Sequence, residues 1–202
     1  MAFPPPPPPQ PIAEDFEDHD PGVAPMRARV FDGSETATIR VTEEEAASGT
    51  RSLKFVDQPD LEAPWDPHLF YTPGFTEGRY AGHFDVRLAP GAVFYHEWRT
   101  GGGTYRVGPS IIVTRQGVLE ASGQALGELP MDTWIGFDIE CSLDAGGRGS
   151  WSLVVTMPDD TWTFDDLACD PDFDAIEWFG FCAQEQTTSH FYLDNVRLEP
   201  AE

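Results

Sequence analysis

The stretch that most limits what this chain can become is residues 134–143, where Ile135, Phe137, Ile139, Cys141 and Leu143 alternate with Trp134, Asp138 and Glu140. Side chains on a strand point to opposite faces at each step, so the apolar set turns one way and the polar set the other. Such a strand needs a second layer over its apolar face. Comparable runs follow near 68–72, 79–88, 93–99, 105–113, 118–121, 150–157, 161–164, 176–183 and 190–198, with earlier ones at 26–31, 36–41 and 52–56. Turn formers separate them: Ala89-Pro90-Gly91, Gly101-Gly102-Gly103, Ala145-Gly146-Gly147 and Pro158-Asp159-Asp160. No internal repeat and no strand–helix alternation interrupts this order, so the expected fold is all-β, with two antiparallel sheets face to face. One short helix is expected, because Thr42-Glu43-Glu44-Glu45 has capping-box spacing and Gly49 can end it.

The aromatic content, 12 % with 14 Phe and 6 Trp, suits a single sandwich core, and 202 residues are enough for one. The run Pro4 to Pro9 fixes φ and removes amide donors, so residues 1–12 read as an extended linker and 13–202 as the domain. A PxxP ligand is the other reading of that run. The net charge of −23 repels phosphate backbones and anionic membrane surfaces, which argues against a nucleic-acid partner. With Lys54 the sole lysine and eleven arginines, a neutral glycan fits better than a polyanionic one. No apolar run is long enough to span a bilayer, so no membrane insertion is expected. The first residues lack a charged segment followed by an apolar one. An extracellular role would therefore make this sequence a mature or excised piece of a larger protein.

Three cysteines leave one unpaired. Cys141 lies in an apolar strand and Cys169 in the acidic loop Ala168-Cys169-Asp170-Pro171, so a bridge between them would pin that loop in an oxidising compartment. The alternative is that both are buried free thiols, as expected for Cys182. No Cys/His spacing suggests zinc.

In Phe191-Tyr192-Leu193-Asp194-Asn195-Val196-Arg197-Leu198, alternation puts Tyr192, Asp194, Val196 and Leu198 on one face. A carboxylate among core-type residues needs compensation. If the first and last strands are neighbours, Glu17 of Glu14-Asp15-Phe16-Glu17-Asp18 and Asp194 could share a Ca²⁺ ion. Otherwise Asp194 accepts hydrogen bonds from nearby backbone amides.

The acidic Phe-Glu segment, Ala47-Ser48-Gly49-Thr50-Arg51-Ser52-Leu53-Lys54-Phe55 and the closing Tyr-Leu-Asp-Asn-Val-Arg-Leu together resemble the jelly-roll modules of bacterial polysaccharide-active proteins. In those carbohydrate-binding, concanavalin A-like sandwiches the Phe-Glu and terminal Asp positions commonly hold a structural calcium. The resemblance thus implies a jelly-roll β-sandwich with Glu17 and Asp194 as ligands. His96-Glu97-Trp98-Arg99 and Tyr105-Arg106-Val107-Gly108-Pro109-Ser110 are similar to a domain of large secreted proteins of planctomycete type. That similarity implies an extracellular or cell-surface setting without a settled activity.

The face opposite the core carries function. In 93–99, Tyr95, Glu97 and Arg99 share one face, and Tyr105 or Arg106 joins them across a Gly-rich turn. An aromatic ring to stack on a pyranose, with charged groups for its hydroxyls, suits sugar recognition. The plainer alternative is a cross-strand Glu–Arg pair that binds nothing. The Glu-x-Asp-x-x-Glu arrangement of jelly-roll glucanases is missing, so no catalytic residue is assigned. A lyase could draw on Tyr95, His96, Arg99, Tyr105 and His68, although His96 on the Phe94/Trp98 face reads as a core histidine. Gly101-Gly102-Gly103 has neither the Lys-Ser/Thr nor the helix of a phosphate loop. The sequence therefore predicts a non-catalytic extracellular carbohydrate-binding or adhesive module with a structural Ca²⁺, working within a multidomain parent or by self-assembly. The alternatives are a lyase-type enzyme and a structural subunit of a surface layer or filament.

Overall fold

The structure, a computed structural model, describes residues 8–101, 105–184 and 187–201. In chain order the strands are β1 (Ile12–Glu14), β2 (Arg29–Phe31), β3 (Ile39–Thr42), β4 (Ser52–Asp57), β5 (His68–Tyr71), β6 (Arg79–Leu88), β7 (Phe94–Arg99) and β8 (Val107–Val113). They continue as β9 (Val118–Ala121), β10 (Gln124–Glu128), β11 (Trp134–Ser142), β12 (Ser150–Thr156), β13 (Thr161–Ala168), β14 (Trp178–Ala183) and β15 (Ser189–Pro200). Sheet I has the order β13-β12-β11-β6-β15-β4-β3, and sheet II the order β10-β9-β8-β7-β14-β5-β2. All the pairings are antiparallel, giving an all-β two-sheet sandwich.

β15 organises sheet I. Its first half pairs with β4 from Ser189 to Leu193, its second half takes β1 from Val196 to Leu198, and β6 lies along its other side. The first strand does therefore lie beside the last. Ile12 pairs with Leu198 and is buried, so the sandwich begins one residue before the expected boundary at 13. Of the proline run, Pro4 to Pro7 lie outside the described residues, while Pro8 and Pro9 are exposed and irregular.

The core follows from alternation. Ile135, Phe137, Ile139 and Cys141 of β11 all point inward, and Phe137 stacks 5.1 Å from Phe84 across its pair with β6. Phe84 meets Phe181 of the other sheet edge-on at 5.2 Å. A Cβ on Gly82 would stand 2.5 Å from Cζ2 of Trp98, so the bare backbone of β6 is what lets the Trp98 indole close the gap between sheets. Burying each such ring contributes roughly 1.5–3 kcal/mol.

Three local expectations are corrected. Residues 42–49 form no helix: the Thr42 hydroxyl accepts the Glu44 amide, two residues on, where a capping box would take Glu45. Contacts with sheet I then hold the segment as an irregular, bent loop, as Glu44 pairs with Lys54 and Glu45 with Arg87 at 2.5 Å each. β10 was not expected; Ser122 and Gly123, at φ 51° and 71°, make the left-handed two-residue turn that returns the chain from β9. Strict alternation fails in β15 as well. Asn195 adopts φ 51° in a bulge, so Phe191, Leu193, Val196 and Leu198 are the buried core members while Tyr192 and Asp194 stay on the other side.

Candidate site on the outer face of sheet II

Alternation along β7 separates two sets one residue apart. Phe94, His96 and Trp98 are fully buried between the sheets, and Tyr95, Glu97 and Arg99 stand on the outer face. Tyr105, between β7 and β8, reaches the same place. The four expected residues do meet. Glu97, 2 % exposed, is their centre: one carboxylate oxygen accepts the Tyr95 hydroxyl, and the other accepts the Tyr105 hydroxyl at 2.8 Å. Arg99 Nε lies 2.6 Å from that second oxygen, a charge contact without hydrogen-bond alignment. Ser110 of β8, opposite Glu97, donates to Tyr95 Oη at 3.4 Å. A carboxylate this dry is tolerable because a cation and two hydroxyls surround it. Partial burial, and then the bond to Glu97, push the Tyr105 phenol up to about 12 and Tyr95 further in the same direction.

β14 supplies what the sequence reading missed. Its outward residues are Trp178, Gly180 and Cys182, and the register sets Gly180 between Glu97 of β7 and Phe70 of β5. A Cβ on Gly180 would fall 2.2 Å from Trp178 Cη2, so the glycine is the seat on which the indole folds down. The Arg99 guanidinium stacks 3.5 Å from the Trp178 ring centroid and lies 5.3 Å from the Tyr105 ring centroid. Phe70 adjoins Trp178 at 5.6 Å, and beyond it Phe31 and His68 stack at 4.6 Å across β2 and β5. His68 Nδ1 is 2.7 Å from Asp66 Oδ1. Trp65, 52 % exposed, stands at the rim of the resulting 420 Å³ cleft. A glycine interrupting an apolar strand two residues after a tryptophan was the signal available in the sequence.

Beneath the cleft, His96 Nδ1 faces the Gly180 carbonyl at 2.9 Å, and Trp98 Nε1 donates to His96 Nε2 at 2.9 Å. An indole nitrogen only donates, so Nε2 accepts and Nδ1 carries the proton. Burial pushes this histidine down to about 3, and it belongs to the core. A second hollow, of 430 Å³ beside β1, holds the buried Glu14, already bonded to His19 Nε2 at 3.0 Å and paired with Arg27.

Glu17 and Asp194 hold one loop from the two ends of the chain. Glu17 accepts the amides of Thr50 and Arg51 at 2.8 and 2.7 Å and the Thr50 hydroxyl at 2.9 Å, which lowers its pKa. Asp194, fully buried, accepts the amides of Ala47, Ser48 and Asn195, yet burial still raises its carboxyl to about 6. Backbone amides thus occupy both carboxylates. Among the described residues, no group of three or more His, Cys, Asp or Glu side chains is placed to hold a metal ion.

No protein-family model and no curated protein matches the chain. Solved structures do. An endo-β-1,4-glucuronan lyase from the fungus Trichoderma reesei superposes with a TM-score of 0.61 at 12 % identity, covering 86 % of this chain and 90 % of the other. The cellulose-induced protein Cip1 gives 0.58 at 16 % identity over 94 % and 97 %, and the globular domain of T. cruzi calreticulin gives 0.57 at 10 % over 95 % and 88 %. At such identities the likeness is one of architecture, and what the chain shares with these proteins is the two-sheet antiparallel jelly-roll β-sandwich fold.

Proposed function

We propose that the outer face of sheet II is a glycan-binding cleft and that the domain is a carbohydrate-binding or adhesive module working outside the cell. The observation that carries this reading is the buried Glu97 under Tyr95, Tyr105 and Arg99, set beside Trp178 and Trp65. Glu97 is fully engaged and organises the others; what remains for a ligand are the outer nitrogens of Arg99, the hydroxyl lone pairs and the exposed faces of Tyr105 and Trp65. Flat rings and fixed donors around a shallow cleft suit a pyranose chain. The excess of acids elsewhere favours a neutral chain over a densely charged one. Two neighbours in fold support a polysaccharide, being a glucuronan lyase and a cellulose-induced protein by name.

Absence of chemistry is the preferred form of the proposal because both phenols donate to Glu97 and resist ionisation, which makes them poor bases. A lyase is the second reading, favoured by the His68–Asp66 pair on the same cleft as Arg99. A glycan array followed by a turnover assay separates the two. Retention of a polysaccharide without product, lost in the Arg99→Ala and Trp65→Ala variants, supports the module. Unsaturated uronate absorbance abolished by His68→Ala supports the lyase, and no binding to any glycan rejects both.

The structural Ca²⁺ assigned to Glu17 and Asp194 also belongs to this proposal. In its favour is the cost of burying Asp194 without a cation; against it stand the amides that already fill both carboxylates. An ion bound only by the folded state would raise the melting midpoint by several degrees at about a hundredfold excess over its Kd. Identical melting in EDTA and in Ca²⁺ would remove the ion from the reading.

A further inference from the structure

The cysteines take the second of their two expected forms, as Cys141, Cys169 and Cys182 are all free thiols. The aromatic surface of sheet II reaches further, past the cleft to the edge of the sheet. Glu97 of β7 lies on a cross-strand row that runs through Gly180 of β14 and Phe70 of β5 to Arg29 of β2, the edge strand. Phe31, 46 % exposed, stacks 5.9 Å from Phe70 as well as on His68, so the rings form one unbroken patch from Trp178 to the edge. The exposed Arg29 lies over the Phe70 ring at 5.9 Å, as Arg99 lies over Trp178. Neighbouring strands stand about 4.8 Å apart, so the three gaps from Glu97 to Arg29 span roughly 14 Å.

Arg29 differs from most cations of the chain in what it lacks. Acids outnumber lysines and arginines by 35 to 12, and elsewhere they claim these side chains, as Asp32 does Arg40 and Glu44 does Lys54, at 2.5 Å each. Among the described residues, Arg29 has no acid within ion-pair reach, and its contact is with a ring. The position accounts for this. Along β7, β14, β5 and β2 the one acid is Glu97, which is buried and fully engaged. Acids flanking these strands are held as well: Asp32 by Arg40, Asp66 by His68 and Glu177 by the Gly101 amide. The row therefore ends in an uncompensated cation on a protein of net charge −23. A guanidinium takes the two oxygens of a carboxylate or sulfate side by side. Arg99 is already compensated by Glu97, so the row has a place for one anion, and a chain charged at every sugar would set its other charges against the acidic field.

On the glycan reading of the cleft, we propose that its ligand is an otherwise neutral chain carrying an isolated acidic substituent, a carboxylate or a sulfate, which Arg29 receives beside the Phe31 ring. Arg99 and Arg29 stand three strands apart, so this ligand is several sugars long. Its neutral part lies by Trp65, Tyr105 and Arg99, and its acidic group at the edge of the sheet.

The test compares xylo-, manno- and cello-oligosaccharides long enough to span the row, each as the neutral chain and with one glucuronate or one sulfate at varied positions, beside oligogalacturonate as a densely charged control. At least one singly substituted chain should bind about fivefold more tightly than its neutral parent. That gain should vanish in Arg29→Ala and in Arg29→Gln, which keeps much of the stem over Phe70, while the neutral parent binds both variants as it binds the unaltered protein. Equal affinity for neutral and substituted chains, tightest binding of oligogalacturonate, or a gain that survives in both variants would each overturn the inference and leave the glycan cleft standing. If none of the oligosaccharides binds, the cleft and the acidic group at Arg29 fall together.

Discussion

The outer faces of the two sheets are built from similar residues and end in different states. On sheet I the cations are spread over separate acids: Arg79 pairs with Glu140, Arg87 with Glu45, Lys54 with Glu44, and His83 lies between Asp138 and Asp85. On sheet II a single carboxylate, Glu97, serves two phenols and an arginine. Pairing one to one in water neutralises charge and leaves little to recognise. Gathering three partners on one dry acid leaves their outer edges unsatisfied, and aromatic rings flank them. The difference between a charged surface and a binding surface lies in this sharing rather than in composition.

The largest expected effect breaks the comparison at its centre. Glu97→Ala leaves Arg99 without its carboxylate and two phenols without an acceptor, and removing one member of a buried pair costs about 3–5 kcal/mol. For a domain of this size that lowers the melting midpoint by roughly 10 °C. Glu140→Ala removes an acid whose side chain is 44 % exposed, and its cost should stay below about 1 kcal/mol. Urea denaturation of both variants checks this. Equal costs would mean that Glu97 is an ordinary surface partner and that the cleft has no organising centre.

Much of this contrast could be read from the sequence and part could not, for physical reasons. β7 sorts its own residues because period-two alternation is local, so Tyr95, Glu97 and Arg99 were separable from Phe94, His96 and Trp98 before any fold was known. Tyr105 followed from a hairpin. Trp178, Phe70 and Trp65 were not assigned, and His68 entered only as a lyase candidate, because β14 and β5 reach β7 only through the non-local order of sheet II. The bulge at Asn195 escaped for a related reason: one left-handed residue shifts a strand's facing, and asparagine signals that possibility only weakly. The helix expected at 42–49 failed because its Glu44 and Glu45 are claimed by Lys54 and Arg87 of neighbouring strands.

The second prediction sharpens the sheet I side. Hydrogen bonds to Asp138 and then Asp85 raise His83 to about 9 from an ordinary value of 6.5. The folded state therefore holds this proton more tightly than the unfolded chain. Its stabilisation is fully present below pH 6.5 and is lost as pH rises through about 9. Allowing for partial exposure, the loss should be about 1–2 kcal/mol, and His83→Gln should flatten that part of the stability profile. A profile with the same slope in His83→Gln would show that the ion pairs of this face do not discriminate between folded and unfolded chains.

The smallest effect on stability should come from Trp65, and the comparison makes it the most informative. Its indole is 52 % exposed at the rim of the cleft, so its removal leaves the sandwich core intact. Trp65→Ala should change unfolding free energy by no more than about 0.5 kcal/mol, as for other surface substitutions. The same change should weaken binding of the glycan found by array about tenfold, corresponding to about 1.4 kcal/mol. Arg79→Ala on sheet I, also exposed, should alter neither quantity. Calorimetric titration of the two variants compares the faces directly, because both changes are tolerated by the fold. If Trp65→Ala binds as tightly as Arg79→Ala, the aromatic rim contributes nothing, and recognition would have to rest on Arg99 and the hydroxyls alone.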